Sequence, residues 1–344
     1  MIGGEASIRG FRAADREAVL ALVETHRYAP MRCYRRYGHD LGGAGSRSKL
    51  EAALDDPGLV GVVATNGNAN DDSVVGFVGA RPNPWESQHF GVAMGRTTEL
   101  LTHPSLDRRS LAGALFGRLG HEAEAAGLAM LITSVDGEDL DGLNGALGAG
   151  HEYCEASLVY VNDTDQGPAN LHRSHPFEVS AHTPAEVAAL PDGSLDRVRA
   201  AALVAVRHDH FHADRRLDDE RCDRLYSHWL EQAIAGEWAD LIVLSRLEGE
   251  IVGLATWKLW DEFVASGGPP ILAQSLAIAD PDAPPGSGSA ITELACSSRP
   301  LGVRFIEYAT QTRNLAVSNL VARQFSLSLA RTGHVLHLWN DGAG

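Results

Sequence analysis

The ten residues from Pro281 to Ala290 hold three prolines and two glycines, and just beyond them SAITELACSS places Ile291, Leu294 and Ala295 at helical spacing. A loop of that composition leading into a helix leaves the first N–H groups of the helix, around Gly286, Ser287, Gly288, Ser289 and Ala290, pointing into space with few side chains to fill it. Unpaired N–H groups at the positive end of a helix dipole suit a phosphate or pyrophosphate. A plain connection uses the same residue types, so the flanking elements must decide between the two. The other dense group of ionisable residues is RHDHFHAD, with His208, His210 and His212 in alternation. Alternate histidines share a face only in an extended segment, where Asp209 or Asp214 could join them around a metal. No second ligand group stands at a recognised spacing, and no metal is expected.

The elements around the loop support the anion reading. Upstream, ILAQSLAIAD is an apolar strand. Downstream, VRFIEYATQ is a second strand, TRN a turn, and NLAVSNLVARQFSLSLA a helix with Val317, Leu320, Val321 and Phe325 on one face, before HVLHLW closes as a last strand.

This order, strand, glycine-rich loop, helix, strand, Asn-headed helix, strand, resembles the acetyl-CoA-binding half of the GNAT N-acetyltransferase superfamily. The strings RHDHFHAD, YATQTRNLA and HVLHLW, with WESQHFG in the first half, resemble the TDP-fucosamine acetyltransferase group. The resemblance implies that acetyl-CoA lies along the strand carrying Leu276 and Ile278, with its pyrophosphate on residues 286–290 and its pantetheine arm at Asn314, a residue that equally reads as a helix cap. It implies an acceptor pocket lined by the string with His208, in which His212 and His210 as neutral imidazoles take the proton of the amine. Gln311 is a candidate for polar contact with coenzyme or acceptor, and Trp85 and Phe90, residue types that equally fill a core, are candidates to stack on a sugar or base. Two departures stand out. The Arg or Gln that heads the family's phosphate loop is missing, since Ala283 or Pro285 falls there, and the family's tyrosine, acid for the leaving thiolate, is replaced by Val321.

Bulk properties narrow the class. With 344 residues, 44% of them hydrophobic and 22% charged, the chain has material for two globular domains. A net charge of -16 argues against nucleic acid as a partner, although one anion can still be held by local backbone dipoles. Four cysteines at scattered positions give neither a disulfide framework nor a zinc site, and no segment is apolar for long enough to span a bilayer. A cytoplasmic protein without membrane partners is expected, and a homodimer is compatible with it.

Residues 6–162 repeat the element order of 175–339, so the expected architecture is α/β, two tandem GNAT-like modules, each with a mixed, mostly antiparallel sheet flanked by helices. The division is placed at 1–165 and 174–344. In the first module RSLAGA imitates the phosphate loop with alanine for its first glycine, which makes that module the degenerate one. The expected activity is transfer of an acetyl group from acetyl-CoA to a primary amine of a small metabolite such as a nucleotide-linked amino sugar. The alternatives are transfer of a larger acyl group to an amine of a specialised metabolite or antibiotic, and a silent acyl-CoA-binding module.

Overall fold

Alternating or continuously apolar runs form the strands, and helices with one apolar stripe cover them. The computed structural model describes residues 6–39, 42–67, 73–166, 175–204, 207–260, 264, 268–298, 300–324 and 327–340. The chain divides into unit 1, Met1–Ala156 with Arg331–Gly344, and unit 2, Ser157–Ala330.

Unit 1 runs β1 (Ser7–Gly10), α1 (Arg16–Leu22), α2 (Gly42–Leu54), β2 (Val60–Thr65), β3 (Val74–Pro82), α3 (Pro84–Phe90), β4 (Met94–Thr97), β5 (Leu101–Thr102), α4 (Arg108–Ala125), β6 (Met130–Asp136), α5 (Leu140–Gly148) and the start of β7 (Glu152–Asp163). Its sheet is ordered β1-β2-β3-β4-β6, and β13 (Ser328–Trp339) lies antiparallel on β6 from Gly333 opposite Asp136 to Trp339 opposite Met130. Leu111, Leu115 and Leu119 of α4, four residues apart, are buried against Val62, Val78, Leu131 and Leu336. Each contributes roughly 2 kcal/mol through the apolar area removed from water. The other face is covered by α1, whose Val19, Leu20 and Leu22 pack with Val63 and Phe77.

Phe90 closes α3, because Asn83 accepts the Glu86 N–H at 3.2 Å as N-cap, Pro84 sits in the first turn and Gly91 stops the helix at φ +67°. The polar stretch after Ala29 is structured as well, as a 3₁₀ run Pro30–Tyr37 followed by α2.

Unit 2 contains β8 (Glu178–His182), α6 (Pro184–Ala188), α7 (Asp196–Ala202), α8 (His210–Ala213), α9 (Asp219–Ile234), β9 (Leu241–Leu247), β10 (Glu250–Leu259), β11 (Ile271–Ala279), α10 (Ser287–Ser298), β12 (Phe305–Gln311) and α11 (Leu315–Gln324). The sheet is ordered β8-β9-β10-β11-β12-β7, and β11 and β12 pair in parallel. The hairpin β9–β10 turns at Glu248-Gly249, where φ is +53° and +89°, the positive pair that a two-residue turn needs. On one face Ile291, Ala295 and Cys296 of α10 bury against Trp257, Leu272, Ile306 and Tyr308.

The segment from Leu195 to Phe211 carries α7 and the start of α8, since Asp209 caps α8 afresh. The last helix is described over Leu315–Gln324, Phe325 of its expected apolar face lies outside the described residues, and Ser328–Ala330 already belong to β13. The units are not consecutive in sequence, where the sequence reading placed a linear division. Ser157–Asp163 of β7 pair with β12 and belong to unit 2, whereas β13 from Arg331 onward pairs with β6 and belongs to unit 1.

Candidate functional site

The parallel pair at the centre of unit 2 does not stay together. Ile271, Leu272 and Ala273 of β11 face Phe305, Ile306 and Glu307 of β12, and the ladder then ends. Immediately beyond it β11 carries an extra residue: Trp257 of β10 faces Gln274 and Thr256 faces Leu276, which leaves Ser275 as a bulge. Its hydroxyl contacts the Thr256 hydroxyl at 2.7 Å and carbonyl at 3.2 Å. A bulge bends and twists the strand that holds it, so residues 274–279 run on with no ladder to 308–311 among the described residues. The result is a wedge walled by two main-chain edges. Such edges take up an extended ligand as they would an added strand.

At the open end of the wedge the chain turns toward α10. The turn is fixed by Asp280, whose N–H bonds the Val252 carbonyl at 2.8 Å and whose carboxylate accepts the Asp282 N–H at 2.9 Å and Arg197 Nε at 2.6 Å. Gly286 stands at φ +126°, which a side chain would strain, and Ser287 begins the helix. The N–H groups of Gly286, Ser287 and Gly288 reach no acceptor among the described residues. A Cβ on Gly288 would meet no heavy atom within 4 Å, so open space lies over the first turn. Ser289 is half-buried, and Ala290 is buried against Phe177 and Val252, its N–H returning to the Gly286 carbonyl at 2.9 Å. Beneath the turn, a Cβ on Gly253 would lie 2.6 Å from Ser245 Oγ and 3.1 Å from Ser287 Oγ. Only glycine at 253 lets α10 seat this closely on β10.

Across the wedge, β12 ends at Gln311, half-buried and paired to Ser157. Asn314 then caps α11: its N–H bonds the Gln311 carbonyl at 2.9 Å and its Oδ1 accepts the Val317 N–H at 3.2 Å. The Asn314 Nδ2 donates to none of the described residues. Leu276 and Ile278 turn their side chains into the core, 5% and 2% exposed, so that strand meets a ligand through its main chain. Val321 is buried at 3% exposure and supplies no acid. The hydroxyl of Tyr308 lies under α10, 3.7 Å from Cys296 Sγ, and burial pushes its phenol well above the usual value.

The histidine string folds differently from its expected role. Asp209 caps α8, accepting the N–H groups of Phe211 at 2.7 Å and His212 at 3.0 Å, and also meets His212 Nδ1 at 2.6 Å. The other ring nitrogen, Nε2, faces Asp223 Oδ1 at 3.2 Å, and Asp223 in turn holds Arg207 at 2.8 Å. Burial opposes charge on both groups, yet the contacts with Asp209 and then Asp223 hold His212 above its ordinary 6.5, and His212 holds Asp209 below 3.8. Both ring nitrogens of His212 thus face carboxylates, and neither is open to take a proton from an amine, where a neutral base was expected. His210 packs its ring on Phe211, centroids 3.9 Å apart, and His208 is exposed. Arg313, in the turn before α11, donates to the carbonyls of His208 at 3.2 Å and Asp209 at 3.1 Å, so the string is fastened beside Asn314.

A direct check is long-range ¹H–¹⁵N NMR at pH 7, which should show both His212 ring nitrogens protonated. Because its folded value is raised, the stability these contacts contribute is complete below about 6.5 and lost as pH rises through the folded value. A neutral His212 tautomer at pH 7 would refute the assignment.

The structure thus brings the loop, Asn314, Gln311 and the histidine string to one unit, and places Trp85 and Phe90 in the other. Phe90 is buried at 4% exposure and unavailable to a ligand, and Trp85 stacks on His89 with ring centroids 5.8 Å apart. Sequence reasoning missed Ser275, Gly253, Arg313 and Asp223. A bulge or a close seat depends on the partner strand and leaves no local signature, whereas Arg313 stood in plain view between two elements already assigned.

No protein-family model matches the sequence, and no curated protein does. Solved structures share the architecture. A tandem GNAT protein from the clavulanic acid biosynthesis pathway aligns with TM-score 0.54 and 17% identity over 99% of each chain. A GCN5-related N-acetyltransferase from Sphaerobacter thermophilus aligns with TM-score 0.58 and 14% identity over 97% of this chain and 95% of the other. The glucosamine N-acetyltransferase region of a fungal multi-domain β-N-acetylglucosaminidase gives TM-score 0.58 and 11% identity, covering 98% of this chain and 38% of that one. The fold is that of two GNAT modules in tandem.

Proposed function

We propose that unit 2 is an acyltransferase module that binds acetyl-CoA and acetylates a primary amine of a small metabolite. The observation that carries this is the wedge between β11 and β12 ending at three unpaired N–H groups. An extended amide-bearing arm fits the unpaired strand edges, and a pyrophosphate fits the first turn of α10. The Arg or Gln absent from the head of the loop would have added a side-chain donor to a site that works through backbone dipoles.

The amine nitrogen attacks the thioester carbonyl, a C–N bond forms, the C–S bond breaks, and the proton lost by nitrogen ends on the thiolate through solvent. A thiolate leaves readily near neutral pH, so an aliphatic Val321 does not forbid the step. Support for an amino sugar as acceptor comes from the strings shared with the TDP-fucosamine acetyltransferase group and from the neighbour whose region acts on glucosamine. Among the described residues no helix is long and apolar enough to cross a membrane, and the four cysteines form no disulfide, which suits a reducing compartment.

Calorimetry with acetyl-CoA, followed by thiol-release assays over nucleotide-linked amino sugars, free amino sugars, aminoglycosides and simple amines, tests the proposal. Binding with release on an amino sugar supports it in full. Release only with a longer acyl donor or only with other amines overturns the acceptor. Binding without release on any amine favours the silent module, the reading that Val321 supports.

A further inference from the structure

Unit 1 has a counterpart of the anion-binding loop, and its own side chains fill it. Arg108, the first residue of α4, folds back so that its Nε meets Asp139 Oδ1 at 2.8 Å, its Nη1 the Thr102 hydroxyl and its Nη2 the Leu100 carbonyl at 3.2 Å. The guanidinium carbon lies 4.8 Å over the ring of Tyr28. Asp107, just before the helix, accepts the Ser110 hydroxyl, a bond that holds its carboxyl below the ordinary range. A carboxylate already stands at the positive end of α4, and the guanidinium beside it is neutralised by Asp139. A pyrophosphate is repelled there.

A cavity of 260 Å³ nevertheless remains beside these groups. At about 30 Å³ per water it has room for some eight or nine waters, roughly the heavy atoms of one small metabolite. Two charged residues that line it, Arg27 after α1 and Asp141 in the first turn of α5, have no partner among the described residues. Asp107 adds a second carboxylate and Tyr28 an aromatic wall. With Arg108 and Asp139 cancelling, the charges left over are one positive and two negative. That set matches a molecule bearing an ammonium and a carboxylate better than it matches an anion.

We propose that unit 1 holds a second ligand site, for a free amino acid, with the ammonium directed to Asp141 and Asp107, the carboxylate to Arg27 and the side chain to Tyr28. The site does not depend on the reading of unit 2. The experiment titrates the full-length protein with the twenty amino acids, then repeats the best ligand as its N-acetyl derivative and as its decarboxylated amine. Binding of at least one amino acid is expected, weakened about tenfold or more by either modification and by Asp141→Asn or Arg27→Gln, exposed substitutions that leave the melting midpoint and acetyl-CoA binding unchanged. No binding at millimolar concentrations, binding indifferent to both substitutions, or an N-acetyl derivative that binds equally well overturns the proposal. So does a second equivalent of acetyl-CoA that survives Gly288→Val.

Discussion

Gly288→Val abolishes acetyl-CoA binding and leaves the fold standing. Open space surrounds the position, since a Cβ there would contact nothing within 4 Å, and Gly288 is not one of the positive-φ glycines, so an L side chain meets no backbone strain. In a helix, valine is slightly more favourable than glycine, and the unfolding free energy should move by no more than about 0.5 kcal/mol. What the isopropyl group takes is the volume above the free N–H groups of Gly286, Ser287 and Gly288, where the pyrophosphate must approach the main chain. The expected loss is at least a hundredfold in affinity, about 2.7 kcal/mol, read by calorimetry beside a urea titration of the same variant. The same change at Gly286 would confound the two readouts, because φ +126° forces strain and Phe177 already lies 3.3 Å from a Cβ there. An affinity untouched by valine at 288 would remove the phosphate loop, and with it the coenzyme assignment.

The loop could be anticipated because its signals are local. Proline and glycine punctuate it, and the helical spacing of Ile291, Leu294 and Ala295 fixes where N–H groups are left over. The β9–β10 turn and the Asn314 cap were legible for the same reason: each depends on residues within four positions. What makes the loop a candidate site is not local. The bulge at Ser275 exists only in register with Thr256 and Trp257, and the exchange of β7 and β13 depends on which edge each strand finds. His212 shows the cost of reading one segment by itself. Three alternating histidines suggest bases, but His212 is held between Asp209, within the string, and Asp223, eleven residues away on α9, which no motif ties to it. In α3 the signals are local: Asn83, Pro84 and Gly91 mark both ends of a short helix.

A second large effect concerns His151, between α5 and β7, which is buried at 3% exposure with no hydrogen-bond partner for either ring nitrogen among the described residues. Phe116 packs edge-on at 5.1 Å. Burial pushes its pKa down to about 4 from 6.5, against the backbone of Ala146, which favours the charged form, and with His337 adding a smaller downward effect. The native state therefore keeps this imidazole neutral where the unfolded chain would protonate it. Between pH 6.5 and 4 the unfolded state binds one more proton, so stability falls as pH falls, by about 1.4 kcal/mol per unit and about 3 kcal/mol in all, and His151 adds no further loss below 4. His151→Leu keeps an apolar group of similar size in the same place and removes the proton acceptor. Urea unfolding at pH 7, 6, 5 and 4.5 should show the variant gaining on the native protein at each acid step, with unchanged denaturant slopes. Carboxylates that titrate over the same range act on both proteins alike and cancel in the difference. Parallel stability curves for the two would mean that the native imidazole takes up a proton without cost, and hence that water reaches it in the folded state.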